Sequence, residues 1–159
     1  MADLTEICAE CNNYFLRDYV NASNYIHSGT FAISNHTITD ISFLKSGQYF
    51  RIVGSDLNDG VYQNTAEGMA ALTDEEFSGA VWAMSPPPAF IALANDIAAW
   101  RAANESATSK NMSPFSSESI SGVYSYSKGS GGNADGGTAV TWKSQFKSRL
   151  NAYRRVYEL

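Results

Sequence analysis

The sequence predicts an α+β fold: a helical core of N-terminal, central and C-terminal helices, with an inserted small antiparallel β-sheet and a long flexible loop. Three observations predict it. Apolar residues recur every three or four positions in three separate stretches, they alternate between residues 30 and 63, and five glycines fall between Gly129 and Gly137. With 159 residues, 44% of them apolar, the chain can bury one core, so residues 1–159 are expected to form a single domain.

The first helix is predicted from the spacing of apolar residues after Asp3, which can cap a helix N-terminus. The residues on its apolar face are Leu4, Ile7, Cys8, Cys11, Tyr14 and Phe15. Because both cysteines lie on this face, their Cys-x-x-Cys spacing is interpreted as core packing, with a redox or metal-binding pair as the alternative. No second cysteine pair is present, and His27 and His36 are not spaced to complete a zinc site.

Residues 30–63 are predicted to form three or four short antiparallel strands, among them the β-branched and aromatic run from Tyr49 to Val53. A turn ending in Asp59-Gly60 follows this run. It also contains Asp56 and Asn58, whose oxygens could suggest a calcium site. The register lacks the glycine and glutamate of an EF-hand loop, so a turn between two strands is the simpler interpretation.

Two consecutive helices are predicted between residues 73 and 103. Thr73 and Glu76 have the spacing of a capping box, which predicts a helix through Trp82 and explains the adjacent carboxylates of Glu75 and Glu76. Prolines 86–88 end this helix. Because proline is tolerated in the first turn of a helix, a second helix can begin there and continue to about Ala103.

The residue pattern in the last part of the chain predicts a hairpin followed by a helix. Alternation up to Ser127 predicts a hairpin-like segment, and residues 117–140 are expected to be a flexible hairpin or loop. A C-terminal helix over residues 140–158 places Trp142, Phe146, Leu150, Tyr153 and Tyr157 on one face and basic residues on the others. These basic residues could touch phosphates, but a solvated or protein-docking face is the favoured interpretation.

Charge and motifs exclude several classes of protein. The net charge of −5 is split into −9 over residues 1–109 and +4 over residues 110–159, which can steer opposite ends of like molecules together. The longest apolar run, Ala89–Ala94, is far shorter than the ~20 residues that cross a bilayer, and the acidic start does not resemble a secretory signal. A soluble cytoplasmic product without a membrane partner is expected. No hydrolase or nucleotide-binding motif occurs, and no catalytic, cofactor or metal-binding residue is predicted.

Four segments resemble the head–tail connector (adaptor) proteins of tailed bacteriophages and prophages. The first three are the helix from Pro87 to Trp100, the segment 117–127, which is similar to the family's S-E-S-I-G-x-Y-S, and the basic–aromatic helix from Trp142 to Arg155. The fourth, residues 47–62, is similar to connector-like proteins of Firmicutes prophages. Ser121 departs from the family pattern, because glycine usually follows the isoleucine.

The resemblance implies a homo-oligomeric, dodecameric ring under the portal protein that continues the DNA channel and touches passing double-stranded DNA. It implies a virion protein, assembled in the bacterial host cytoplasm, with a stopper or tail-terminator protein on its tail side. The residues expected to dock on the portal are Trp142, Phe146, Arg149, Tyr153, Arg154 and Arg155. The residues expected to contact a neighbouring subunit or line the channel are Glu118, Ile120, Tyr124, Tyr126 and Lys128.

Three alternatives to a connector remain open at this stage. A stopper or tail-completion protein would belong to the same neck assembly but bind a different partner. A small binding module could use Tyr49, Phe50 and Tyr62 of the sheet, although these side chains could equally pack across strands. An enzyme is the least favoured alternative.

Overall fold

The computed structural model describes residues 3–105, 117–120, 124–127 and 140–156. Its centre is a five-stranded antiparallel sheet with the strand order β2-β1-β5-β3-β4. The strands are β1 (Ile26–Ser34), β2 (Thr37–Ile38), β3 (Tyr49–Val53), β4 (Gly60–Gln63) and β5 (Glu75–Ala83). Strands β6 (Ser117–Ile120) and β7 (Tyr124–Ser127) pair as a separate two-stranded sheet.

Helices are short in the described part of the chain. They are α1 (Leu4–Cys11), α2 (Ala66–Met69), α3 (Pro88–Asn104), α4 (Trp142–Gln145) and α5 (Lys147–Asn151), with one 3₁₀ turn at Ala22–Asn24. Only α1 and α3 exceed five residues. No helix among the described residues is long and apolar enough to span a bilayer.

The predicted helical core with an inserted sheet is wrong. The sheet is the centre of the fold, and its middle strand, β5, lies outside the stretch 30–63 that was expected to contain the insertion. The expected C-terminal helix is two short helices separated at Phe146, whose backbone lies at φ −102°, ψ 9°. Three or four short strands were expected between residues 30 and 63; four strands, β1 to β4, lie in this region, and β1 begins earlier, at Ile26.

The helix predicted after Thr73 is instead β5, and tertiary contacts explain why. The Asn58 side chain bonds both backbone groups of Thr73, so Thr73 does not begin a helix. The buried residues Phe77, Val81 and Ala83 follow the two-residue period of a strand. Gly79 allows β5 to lie close to β3, because a Cβ there would come within 2.1 Å of the Val53 carbonyl oxygen.

The predictions for α3 and for the start of α1 are confirmed. Pro88 is the first residue of α3, and Phe90, Leu93, Ala94 and Ile97 form its buried face. The Asp3 carboxylate caps α1 by accepting hydrogen bonds from two backbone amides of its first turn. Helix α1 ends sooner than its apolar pattern, because Asn12 adopts a left-handed conformation with φ 48°.

Two apolar clusters lie on the two sides of the sheet. One is formed by α1, α3, Met84 and two C-terminal residues, Trp142 and Leu150. The other is formed by the inner face of the strands, with Phe50 and Ile52 fully buried among Ile38, Leu44 and Leu72. The C-terminal segment is therefore part of the fold's core.

Candidate functional site

The predicted portal-docking residues lie on the C-terminal segment, residues 140–156, which packs against α1 and α3. A capping box starts α4: the Thr141 hydroxyl accepts a hydrogen bond from the Ser144 amide, and Ser144 bonds back to Thr141. This cap sets the direction from which Trp142 enters the core, where it is 4% exposed. Leu150 of α5 is fully buried, so both short helices are fixed to the domain.

The aromatic residues of this segment contact the body of the protein. Phe146 meets Trp100 of α3 edge to face, with ring centroids 6.3 Å apart. Tyr153 packs edge to face against Phe90 at 5.1 Å and against Phe15 at 6.1 Å. The face that was expected to anchor a portal therefore anchors the segment to its own fold.

The basic residues of the segment also find partners within the chain. Glu10 of α1 pairs with Lys143 at 2.9 Å and with Arg154, and Arg149 pairs with Asp96 of α3 at 2.8 Å. The hydrogen bond from Lys143, assisted by Arg154, holds the pKa of Glu10 below its usual value. Part of the attraction between the acidic body and the basic end is therefore satisfied inside one molecule.

Arg155 fixes the end of the segment. Its guanidinium lies 3.2 Å from the centroid of the Tyr19 ring, and its backbone amide donates to the Cys11 carbonyl over 2.9 Å. The structure thus brings all six predicted docking residues onto one layer beside α1 and α3. A partner could contact only the outer side of this layer. That side presents Lys147, the half-exposed side chain of Arg149 and Val156, which is 88% exposed.

The predicted subunit-contact residues lie on the β6–β7 hairpin. Glu118 pairs with Tyr126 and Ile120 pairs with Tyr124 in the backbone register, so four of these five residues form two opposed pairs of one ladder. The alternation noted from Ile120 to Ser127 covers β7 and the last residue of β6, whereas the rest of β6 was expected only within the flexible hairpin or loop of residues 117–140. Lys128 lies outside the described residues.

The turn that could have suggested calcium is held by hydrogen bonds to the side chains of Glu75 and Asp59. The Glu75 carboxylate accepts hydrogen bonds from the Ser55 hydroxyl, from Asn58 Nδ2 over 2.8 Å and from the Asp56 amide over 3.1 Å. The bond from Ser55, followed by those from Asn58 and Asp56, lowers the pKa of Glu75. Asp59 accepts from the Gly54 amide. This loop fixes the start of β5, and the expectation that Glu75 belongs to a helix cap is wrong.

Cys8 and Cys11 are fully buried on the inner face of α1. Burial raises the pKa of the Cys8 thiol to about 12 and that of the Cys11 thiol to about 11. Both are protonated at neutral pH, whereas thiolates are required for redox exchange and for binding metals. No group of three or more metal-ligating side chains occurs among the described residues. These observations favour the core-packing interpretation.

The sheet aromatics considered for a binding module pack inside the domain. Phe50 is fully buried, and its ring lies 5.9 Å from that of Tyr62, its cross-strand partner. Tyr49 is half-buried against the cluster formed by α1 and α3. These side chains therefore stabilise the sheet across its strands, and no binding module is proposed on them.

A surface groove of about 550 Å³ was missed at the level of sequence. It contains Arg17, His27 and Lys45, and no carboxylate lines it. The His27 ring stacks on Phe43, with centroids 3.6 Å apart. No signal in the sequence could have revealed the groove, since its residues come from four segments that only the folded sheet brings together.

Comparisons of the chain with protein-family models, with curated proteins and with solved structures gave no significant match.

Proposed function

We propose that the chain is a structural, non-enzymatic protein of the neck of a tailed bacteriophage or prophage. In this proposal it forms a homo-oligomeric ring below the portal protein, continues the DNA channel and contacts a stopper or tail-terminator protein on the tail side. It is assembled in the host cytoplasm and remains in the virion. The proposal draws on the four segments that resemble connector proteins, and it does not require the helical core that the structure lacks.

The observation that carries the proposal is the β6–β7 hairpin. It occupies the segment that resembles the family's S-E-S-I-G-x-Y-S, and it pairs as a sheet of its own, separate from the five-stranded sheet. Two four-residue strands are marginally stable in water without further packing. A neighbouring subunit in a ring would supply that packing, which suits an element that orders an assembly.

In this proposal the surface that docks on the portal is the outer side of the C-terminal segment. Trp142 and Tyr153 are occupied in the core, so a partner would meet Lys147, Arg149 and Val156. A basic surface of this kind suits an acidic partner face, because charge complementarity speeds and orients association. The ring requires two further unlike surfaces on each subunit, as every heterologous assembly does.

Capture of a portal protein encoded in the same genome as this chain tests the proposal. The tagged wild-type chain should retain the co-expressed portal, and the variant K147E/R149E should retain several-fold less, whereas K147R/R149K should match the wild type. Failure of the wild type to bind the portal, with capture of a tail-side protein instead, would move the chain to the stopper role. Equal capture by K147E/R149E would place the docking surface elsewhere.

Deleting residues 140–159 is a poor test of docking. That deletion removes Trp142 and Leu150 from the apolar cluster with α1 and α3. Loss of portal binding by the truncated chain could then reflect unfolding. Substitutions on the outer side remove no residue from this cluster, and because R149E also breaks the pair with Asp96, circular dichroism checks that K147E/R149E folds.

A further inference from the structure

Strand β1 has one long unpaired edge. It pairs with β5 from Ile26 to Ile33, but on its other side β2 covers only Ile33 and Ser34. After β2 the chain bonds once more to β1, through the Thr39 amide and the Ala32 carbonyl, and then leaves the edge. Within the described residues, no backbone pairs with this side of β1 between Ile26 and Phe31.

The backbone groups that point outward from this edge can be identified from the ladder. In an antiparallel strand, alternate residues direct both backbone groups to the same neighbour. The Ala32 carbonyl bonds on the β2 side, and the Tyr25 carbonyl bonds to Ala83 of β5 on the other side. Even-numbered residues therefore face outward, which leaves the amides and carbonyls of Ile26, Ser28 and Thr30 available.

The Phe43 ring stacks on His27 near the start of this edge, and the residues that follow His27 are open to solvent. Ser28, Gly29 and Thr30 are all exposed, and a Cβ placed on Gly29 would meet no atom within 4 Å. A long, flat, unpaired edge is a template for an added strand. Most proteins protect such edges, so an exposed stretch of five residues is a candidate site for strand addition.

The groove beside the start of β1 adds a charge preference. Tyr25 and His27 of this strand line it together with Arg17 and Lys45, and neither of these two cations has an ion-pair partner among the described residues. A strand added along β1 would have one end beside Tyr25 and His27, which line one side of the groove, whereas the ends of β5 and β3 line its other side. An acidic residue in that strand would be attracted there.

We propose that the β6–β7 hairpin of a second copy of this chain adds to the free edge of β1. The strands of the hairpin are four residues long and match the open stretch Ile26–Thr30, and their only charged residue is the acidic Glu118. Main-chain hydrogen bonds would provide the affinity, as in other cases of strand addition. The inference rests on the proposed function, because it supplies the contact between ring neighbours.

Chemical cross-linking between two variants, each with one introduced cysteine beside the native Cys8 and Cys11, tests the contact. A T30C copy and an S119C copy that carry tags of different size are mixed under two conditions. One mixture contains the two copies at high concentration without the portal, and the other contains them with the portal. Both mixtures are treated with a short bis-maleimide. The buried, protonated Cys8 and Cys11 should not react. A T30C–S119C dimer well above that formed with the exposed control E67C is expected in at least one of the two mixtures.

A proline substitution in β1 provides a second test of the strand addition. S28P in the T30C copy removes an outward amide but no bond to β5, so it should abolish the cross-link. S28A keeps the amide and should leave the cross-link unchanged, and circular dichroism checks that both variants fold. A cross-link at the level of E67C in both mixtures, or one unaffected by S28P, would overturn the proposal.

The outcomes separate this inference from the proposed function. Portal capture without the cross-link would leave the neck role standing and refute strand addition. The cross-link without portal capture would support strand addition and refute the role at the portal.

Discussion

Leu150 offers the sharpest test that the C-terminal segment belongs to the core. Its side chain is fully buried in the cluster with α1 and α3, and the Cys11 Sγ lies 3.9 Å from its carbonyl oxygen. Leu150→Ala removes three carbons worth about 0.8 kcal/mol each in transfer free energy, and the cavity raises the expected cost to about 2–5 kcal/mol. For a chain of this length, the melting temperature should fall by about 5–15 °C.

Urea unfolding followed by circular dichroism measures this cost directly. The matched control is Lys147→Ala in the same helix, an exposed residue without an ion pair among the described residues, which should change the free energy of unfolding by about 0.5 kcal/mol or less. A loss below about 1 kcal/mol for Leu150→Ala would refute the packing of this segment and restore the free docking helix expected from sequence.

Further predictions concern the buried polar loop, the carboxylates and the thiols. Asn58→Ala leaves both backbone groups of Thr73 without their partner and should destabilise the protein by about 2–4 kcal/mol in urea unfolding, whereas Asp56→Asn should be near neutral. Glu75 has a pKa below 4.5 in the folded state, so its contribution is present above pH 4.5 and is lost as the pH falls through the folded pKa. The acid limb of a stability–pH curve should therefore flatten in Glu75→Gln; an unchanged curve would contradict this. A thiol reagent at pH 8 should modify Cys8 and Cys11 only after unfolding, and rapid modification of the native protein would contradict their burial.

The helix α3 could be predicted because its signals are local. Pro88 sets the start, and Phe90, Leu93, Ala94 and Ile97 follow the helical period. Strand β7 was likewise indicated by the alternation from Ile120 to Ser127, although this pattern includes only the last residue of β6. Neither element depends on partners far away in the sequence.

Strand β5 could not be predicted from the same kind of signal, because two local patterns competed. The capping-box spacing of Thr73 and Glu76 favoured a helix, whereas the alternation of Phe77, Val81 and Ala83 favoured a strand. Asn58, fifteen residues earlier in the sequence, hydrogen-bonds both backbone groups of Thr73 and so favours the strand over the helix. The period-two pattern was the better guide here.

The C-terminal aromatic residues show a second limit of prediction from sequence, namely that the pattern does not say what an apolar face contacts. The helical spacing placed Trp142 and Leu150 on the apolar face of one helix, and both are buried, but they lie on two separate short helices. An apolar helix face contacts the core far more often than a partner. The acidic partners of the basic residues, Glu10 and Asp96, lie on α1 and α3 and could not be assigned before the fold was known. The role of the segment's outer side remains a proposal.

Electron microscopy of the portal purified with this chain tests the proposed place in the phage neck. We expect a ring of added density on the tail-facing side of the portal, which disappears when the chain is omitted. Portal particles without added density, although the chain is folded and in excess, would contradict the proposed place in the neck.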